Sequence, residues 1–222
     1  MRPPARPLKA LLVPLAMLVL LLAGCAGEED AARASDPASD TSAPARPPAP
    51  SAVPAAPGPV RSTALPTVMD AGPEGPVLCL GPIAESYPPQ CSGPAITNWS
   101  WQRDGQGMFE QQGDVRWGTF AVTGTWDGTA FTVTEAIPGP LYDPMMSEPV
   151  VLPAPSVAYD PAELERIATE TSSLPGAQGS YGDDEGHVLL DVTYDDGTLQ
   201  DYVDAAYGDG VVVVRGLLAD AG

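Results

Sequence analysis

No Trp, Tyr or Phe occurs before Tyr87, and all fourteen aromatic residues lie between Tyr87 and Tyr207. Large apolar side chains are what offset chain entropy on folding, so only the latter part of the 222 residues is expected to build a core. Lysine is nearly absent, with Lys9 alone, and Lys+Arg total 10 against Asp+Glu 29, a formal net charge of -19. Phosphate backbones and anionic headgroups are bound by clustered Lys and Arg, so the acidic balance disfavours a nucleic-acid or anionic-lipid partner and no phosphate-cradling loop is present. Histidine occurs once, as His187, and asparagine once, as Asn98. Any Ser-His-Asp triad would depend on His187, and no Gly-x-Ser-x-Gly elbow accompanies it; Gly179-Ser180-Tyr181-Gly182 has the wrong spacing.

What is present at the N-terminus is an export signal. Basic Arg2, Arg6 and Lys9 precede an apolar stretch from Ala10 to Leu22, which ends in small Ala23 and Gly24 before Cys25. The stretch is shorter than the roughly 20 apolar residues of a membrane span, and Pro14 interrupts it. Leu22-Ala23-Gly24-Cys25 resembles the bacterial lipobox, in which the cysteine thiol receives a diacylglyceryl group and the leader is cut just before it. The expected product is lipid-anchored through Cys25 on the extracytoplasmic face of the cell membrane, two acyl chains meeting the requirement for durable attachment. Cleavage after residue 24 leaves seven arginines, no lysine and 29 acidic groups, a formal charge of -22. Arginine-only basic usage with abundant Ala, Gly, Pro, Asp and Val is the bias of a GC-rich genome.

Residues 26–75 contain 35 Pro, Ala, Ser, Gly or Thr in 50 positions, a composition expected to remain a solvated tether after the lipidated cysteine. Extended as polyproline II it reaches on the order of 150 Å, and as a coil about 40 Å. From Val77 the texture changes to alternating apolar and polar residues. The clearest element is a hairpin, Phe120–Trp126 and Thr129–Ala136 about a two-residue Asp127-Gly128 turn, with Val122 opposite Val133 and Gly124 opposite Phe131. Phe120, Val122 and Phe131 then face a core, and Thr119, Thr123, Thr125, Thr132 and Thr134 face water. Residues 76–152 are expected to form a small disulfide-closed β-barrel with an OB-like pattern.

After a boundary near residue 153 the period switches, giving an α+β unit over 153–222 and an α+β fold class overall. Asp160-Pro161-Ala162-Glu163 predicts a helix start, and Leu164, Ile167 and Ala168 supply its apolar stripe. Val188, Leu190, Val192 and Tyr194 alternate as a strand, and Thr198 caps a second helix with Leu199, Tyr202, Val203 and Ala206 on one face. Val211 to Val214 forms a further buried strand.

With Cys25 acylated, Cys79 and Cys91 are an even pair in an exported chain, for which a disulfide is expected. Closing so short a loop contributes on the order of 3 kcal/mol. Two thiols without a third Cys or a nearby His make a poor zinc site, and redox catalysis favours closer spacing. Cys79-Leu80-Gly81, Ser86-Tyr87-Pro88-Pro89-Gln90-Cys91 and the following Trp99-x-Trp101 and Trp117-Gly118 resemble a pattern of actinobacterial lipoproteins and secreted proteins. The resemblance covers about residues 77–136 and implies a disulfide-closed exported barrel in an actinobacterial envelope; it carries no activity.

Trp99 and Trp101 are placed on one face of a strand, near Tyr87 and Trp117, as a candidate binding surface for sugar rings or a partner protein, against core packing as the plainer use. Asn98-Trp99-Ser100 matches a glycosylation sequon, coincidental in a bacterial lipoprotein. His187 is expected as a solvated edge residue, and Asp183-Asp184-Glu185 and Asp195-Asp196 as acidic turns, since neither fits the EF-hand register. No metal, cofactor or catalytic set is expected. The resulting reading is a non-catalytic binding or scaffolding module of the cell envelope, with an envelope protein or cell-wall glycan as partner. The alternative is an extracytoplasmic enzyme acting on cell-wall glycan through paired carboxylates.

Overall fold

The computed structural model describes residues 47–144 and 150–222, all within one compact unit spanning Pro44–Gly222. The leader, Cys25 and tether residues 26–46 lie outside the described residues. Six strands build the first half: β1 (Pro59–Ser62), β2 (Thr67–Asp70), β3 (Pro76–Cys79), β4 (Glu110–Gln112), β5 (Val115–Trp126) and β6 (Phe131–Pro138). β5 is the spine. Along one edge it pairs antiparallel with β1 and then β2, and along the other with β4 and β6; β3 adds outside β2.

Alternation along β5 decides what each face holds. Phe120, Val122 and Trp126 join Val60, Val68, Leu78, Phe131 and Val133 in the first core. On the opposite face Trp117 packs with Met69 and Cys79. The Cys79–Cys91 disulfide is present, with Cα atoms 5.8 Å apart, and it folds the intervening loop over this outer face so that Tyr87 meets Trp117 edge-on at 5.3 Å. The Pro94–Thr97 segment connects the sheet's outer members: Leu78 N–H donates to Pro94 O (2.9 Å) and Thr97 N–H to Phe131 O (3.0 Å). Single bridges, not a continuous ladder, join β3 to β6 among the described residues, so the first half is a curled sheet.

Two expectations for this region are corrected. The span assigned to the tether through residue 75 contains β1 and β2, whose Val60 and Val68 are fully buried, and the preceding chain docks too, Trp126 Nε1 donating to Pro54 O (2.9 Å). The hairpin loop has four residues, Asp127 to Ala130, because the Asp127 carboxylate accepts from both Thr129 N–H (2.8 Å) and Ala130 N–H (2.7 Å). Trp126 therefore pairs with Phe131 and Gly124 with Val133, with a bulge between Thr123 and Gly124. From Gly124 onward the shift is even and the expected faces survive, whereas before the bulge it is odd, so Val122 faces Ala136 and not Val133. A side chain at Gly124 would strike the Thr132 carbonyl and the Phe131 ring, so the close approach that lets the sheet bend requires glycine.

The second half contains α1 (Pro161–Thr171), β7 (Ala177–Gly182), β8 (Val188–Val192), α2 (Thr198–Tyr207) and β9 (Val212–Gly216). α1 begins as expected, Glu163 N–H donating to Asp160 Oδ1 (2.9 Å), and buries Leu164, Ile167 and Ala168. β7 pairs antiparallel with β8, and β8 pairs parallel with β9 through the α2 crossover. The start of α2 is capped differently from expectation. Gly197 is the N-cap and has no side chain, so the Asp195 carboxylate accepts from Leu199 N–H (3.0 Å) and Gln200 N–H (3.3 Å), while Asp196 accepts from Thr198 N–H (3.1 Å). The acidic turn is thus the helix cap, placed where the helix dipole favours negative charge.

Leu164, Ile167, Val188, Leu190, Val192, Leu199 and Val203 form a second core. The chain then returns: β10 (Leu218–Asp220) pairs antiparallel with β1, and Leu218 and Tyr194 are buried in the first core. No helix among the described residues is long and apolar enough to cross a membrane.

Candidate functional site

The Trp99–Trp101 pair is not a surface platform. Trp101 is only 7% exposed, and Trp99 packs edge-on against Trp101 (5.4 Å) and Phe120 (4.9 Å). Trp101 Nε1 donates to Asp70 Oδ2 (3.0 Å). The two residues lie in a loop and turn outside the strands, and with few aromatics to fill the core their burial contributes more than a wet surface would. Their neighbour Asn98 has a structural use: its amide donates to Val133 O (2.8 Å) and accepts from Val133 N–H (2.9 Å), pairing with β6 as a strand residue would.

A concavity lies elsewhere, between α1 and β7, with a volume of about 810 Å³. Leu164 and Ala168 form the apolar part of its wall, Glu165 and Thr169 come from the exposed flank of α1, and Ser180 and Tyr181 come from β7. Asp183 and Asp184 close one end, and none of the described lining residues is basic. Its parts are held firmly. The Thr171 and Ser180 hydroxyls share a hydrogen bond (2.8 Å) that ties helix to strand. Arg215 donates to both Asp191 oxygens (2.8 and 2.9 Å) and to the Tyr181 hydroxyl (2.6 Å), fixing a ring that remains 47% exposed.

The two edges of this second sheet differ. At β9, Gln200 of α2 plugs the backbone: Val214 N–H donates to Gln200 Oε1 (2.8 Å) and Gln200 Nε2 to Val212 O (3.0 Å). At β7, Asp183 N–H donates to His187 O (2.9 Å), which sets the alternation so that Tyr181 and Leu189 exchange ladder bonds. Ser180 and Gly182 therefore direct their backbone N–H and C=O groups away from β8, along the rim of the groove. Among the described residues no backbone partner meets this edge, and an open edge beside a concavity is the geometry that accepts an added strand.

At the groove's end His187 is 3% exposed, which corrects its expected place at a solvated edge. Its Nε2 lies 3.0 Å from Pro153 O and its Nδ1 3.0 Å from Asp183 Oδ2. Asp183 Oδ1 accepts from Glu185 N–H and His187 N–H, each 2.9 Å, so the turn is organised around one carboxylate. Burial lowers the affinity of His187 for a proton, but the Pro153 carbonyl and the Asp183 carboxylate outweigh it and raise the imidazole above its usual range. Burial acts to raise Asp183, yet the His187 and Glu185 amides hold it below the usual carboxylate range. A general acid for glycoside hydrolysis needs the opposite shift. Asp183, Glu185 and His187 offer ligand atoms within 4.8 Å of one another, the one such group of three among the described residues.

The groove was not legible beforehand. Gly179-Ser180-Tyr181-Gly182 lacks the spacing of a nucleophile elbow, and an aromatic between small residues beside a short helix is the available signal for a rim. The chain matches no protein-family model, and neither a curated protein nor a solved structure resembles it significantly.

Proposed function

We propose that this chain is a lipid-anchored, extracytoplasmic and non-catalytic binding module of the cell envelope, which receives an extended segment of a partner protein along the groove between α1 and β7. The observation that carries the reading is the contrast between the edges, β9 plugged by Gln200 and β7 open beside a cavity of about 810 Å³. Backbone groups of Ser180 and Gly182 would supply strand-like hydrogen bonds, Leu164 and Ala168 apolar contact, and Glu165, Asp183 and Asp184 selection for basic side chains. The same negative lining disfavours nucleic acid. Anchoring rests on Leu22-Ala23-Gly24-Cys25 and is tested by palmitate labelling, expected to vanish in Cys25→Ala. We also read the curled sheet as a small closed barrel of OB-like pattern, a reading supported by the bonds of Pro94–Thr97 to β3 and β6.

The test places a photo-crosslinking residue at Thr169 or Tyr181 and, as control, at Arg116 on the first sheet, in cells. Capture of one envelope protein from the groove positions and not from the control supports the reading. Retention on purified cell wall without any protein adduct overturns it in favour of a glycan ligand.

A further inference from the structure

We propose that Asp183, Glu185 and His187 form a binding site for one divalent transition-metal ion of zinc type, held in the turn between β7 and β8. The argument starts from the histidine tautomer. Pro153 O can only accept, so Nε2, 3.0 Å from it, carries the hydrogen. In the neutral ring the Nδ1 lone pair then faces Asp183 Oδ2 at 3.0 Å. Two lone-pair atoms at that distance repel unless a cation sits between them, and the cation is either a proton or a metal. Two metal–ligand bonds of about 2.1 Å at the tetrahedral angle span about 3.4 Å, so an ion enters between these atoms once they part by a few tenths of an ångström.

The surroundings favour the metal. Asp183 Oδ1 is fixed by two backbone amides, which leaves Oδ2 aimed at the imidazole. A ring N–H on a backbone carbonyl is the usual support that orients a ligating histidine, and here it comes from Pro153, distant in sequence. Glu185 adds a third donor within 4.8 Å, and its exposed side chain can adjust to complete the set, leaving further positions for water. An imidazole nitrogen among two carboxylates suits zinc or nickel better than magnesium or calcium.

The test does not depend on the groove having a partner. The full-length chain, purified in detergent without a histidine tag, is titrated with zinc chloride by calorimetry and thermal melting, with magnesium chloride as control. We expect one zinc per chain, a raised melting temperature, no response to magnesium, and binding weakened by about tenfold or more in Glu185→Ala, whose own melting temperature is unchanged. Because His187 is the sole histidine, the labelled imidazole resonances report on the site without any substitution and cover the case that His187→Gln fails to fold. Histidine signals unmoved by zinc, or equal zinc affinity in Glu185→Ala, would overturn the assignment and leave the proton as the bridging cation.

Discussion

The two hydrophobic cores are built from different materials and finished differently. The first gathers Trp99, Trp101, Trp126, Phe120 and Phe131 inside a curled sheet whose outer face is covered by a disulfide loop. The second consists mainly of Leu, Ile, Val and Ala between two helices and a three-stranded sheet, and one side of it is left concave. Aromatic rings and a crosslink let a small sheet close over itself. Aliphatic side chains on a helix and a short strand leave a gap where their stripes diverge, and that gap is what a ligand can use. The difference teaches that a sealed core and an open concavity are divided between the halves, although β10 and Tyr194 join them.

Phe131→Ala attacks the first core where a fully buried ring packs closely against Gly124, and should cost about 3–5 kcal/mol in urea denaturation. If the division of labour holds, residual folded protein still captures a partner at Tyr181. Cys79→Ser should cost about 3 kcal/mol in the same assay and have no effect under reducing conditions. Alkaline pH probes the joint. Burial, together with the Asp220 carboxylate that accepts from the Tyr194 hydroxyl (3.0 Å), pushes the phenol up to about 12. The unfolded phenol ionises near 10, so this contribution is complete below pH 10 and is lost as pH rises towards 12; absorbance titration at alkaline pH should show one late tyrosine. Asp195→Ala removes the cap of α2 and should cost about 1 kcal/mol, loosening the second core alone, as hydrogen exchange at Leu199 and Gln200 would report. Gln200→Ala should cost about 1 kcal/mol and expose a second open edge, with dimerisation by sedimentation as its signature.

Much of this architecture follows from local pattern. The faces of the β5–β6 hairpin, the cap and stripe of α1, and the β8–α2–β9 crossover depend on residues within a few positions of one another, and alternation or 3.6-residue periodicity exposes them. β1 and β2 escaped because their own composition is poor; Val60 and Val68 become strand residues only when β5 lies alongside. The loop register escaped because one side chain, Asp127, turned a two-residue turn into four. His187 was misplaced because its burial depends on Pro153, 34 positions away, and the groove because it is a gap between elements and belongs to no single segment.

β1 follows directly on residues 47–58, which enter from the N-terminal side, and it is flanked on one edge by β5 and on the other by β10, both antiparallel. A pull along the chain from that side is therefore met by two ladders loaded lengthwise at once, after the Trp126 to Pro54 clasp, and not by bonds opening singly. Tension from that side is grounded in the aromatic half, and the cleft beside Tyr181 keeps its shape.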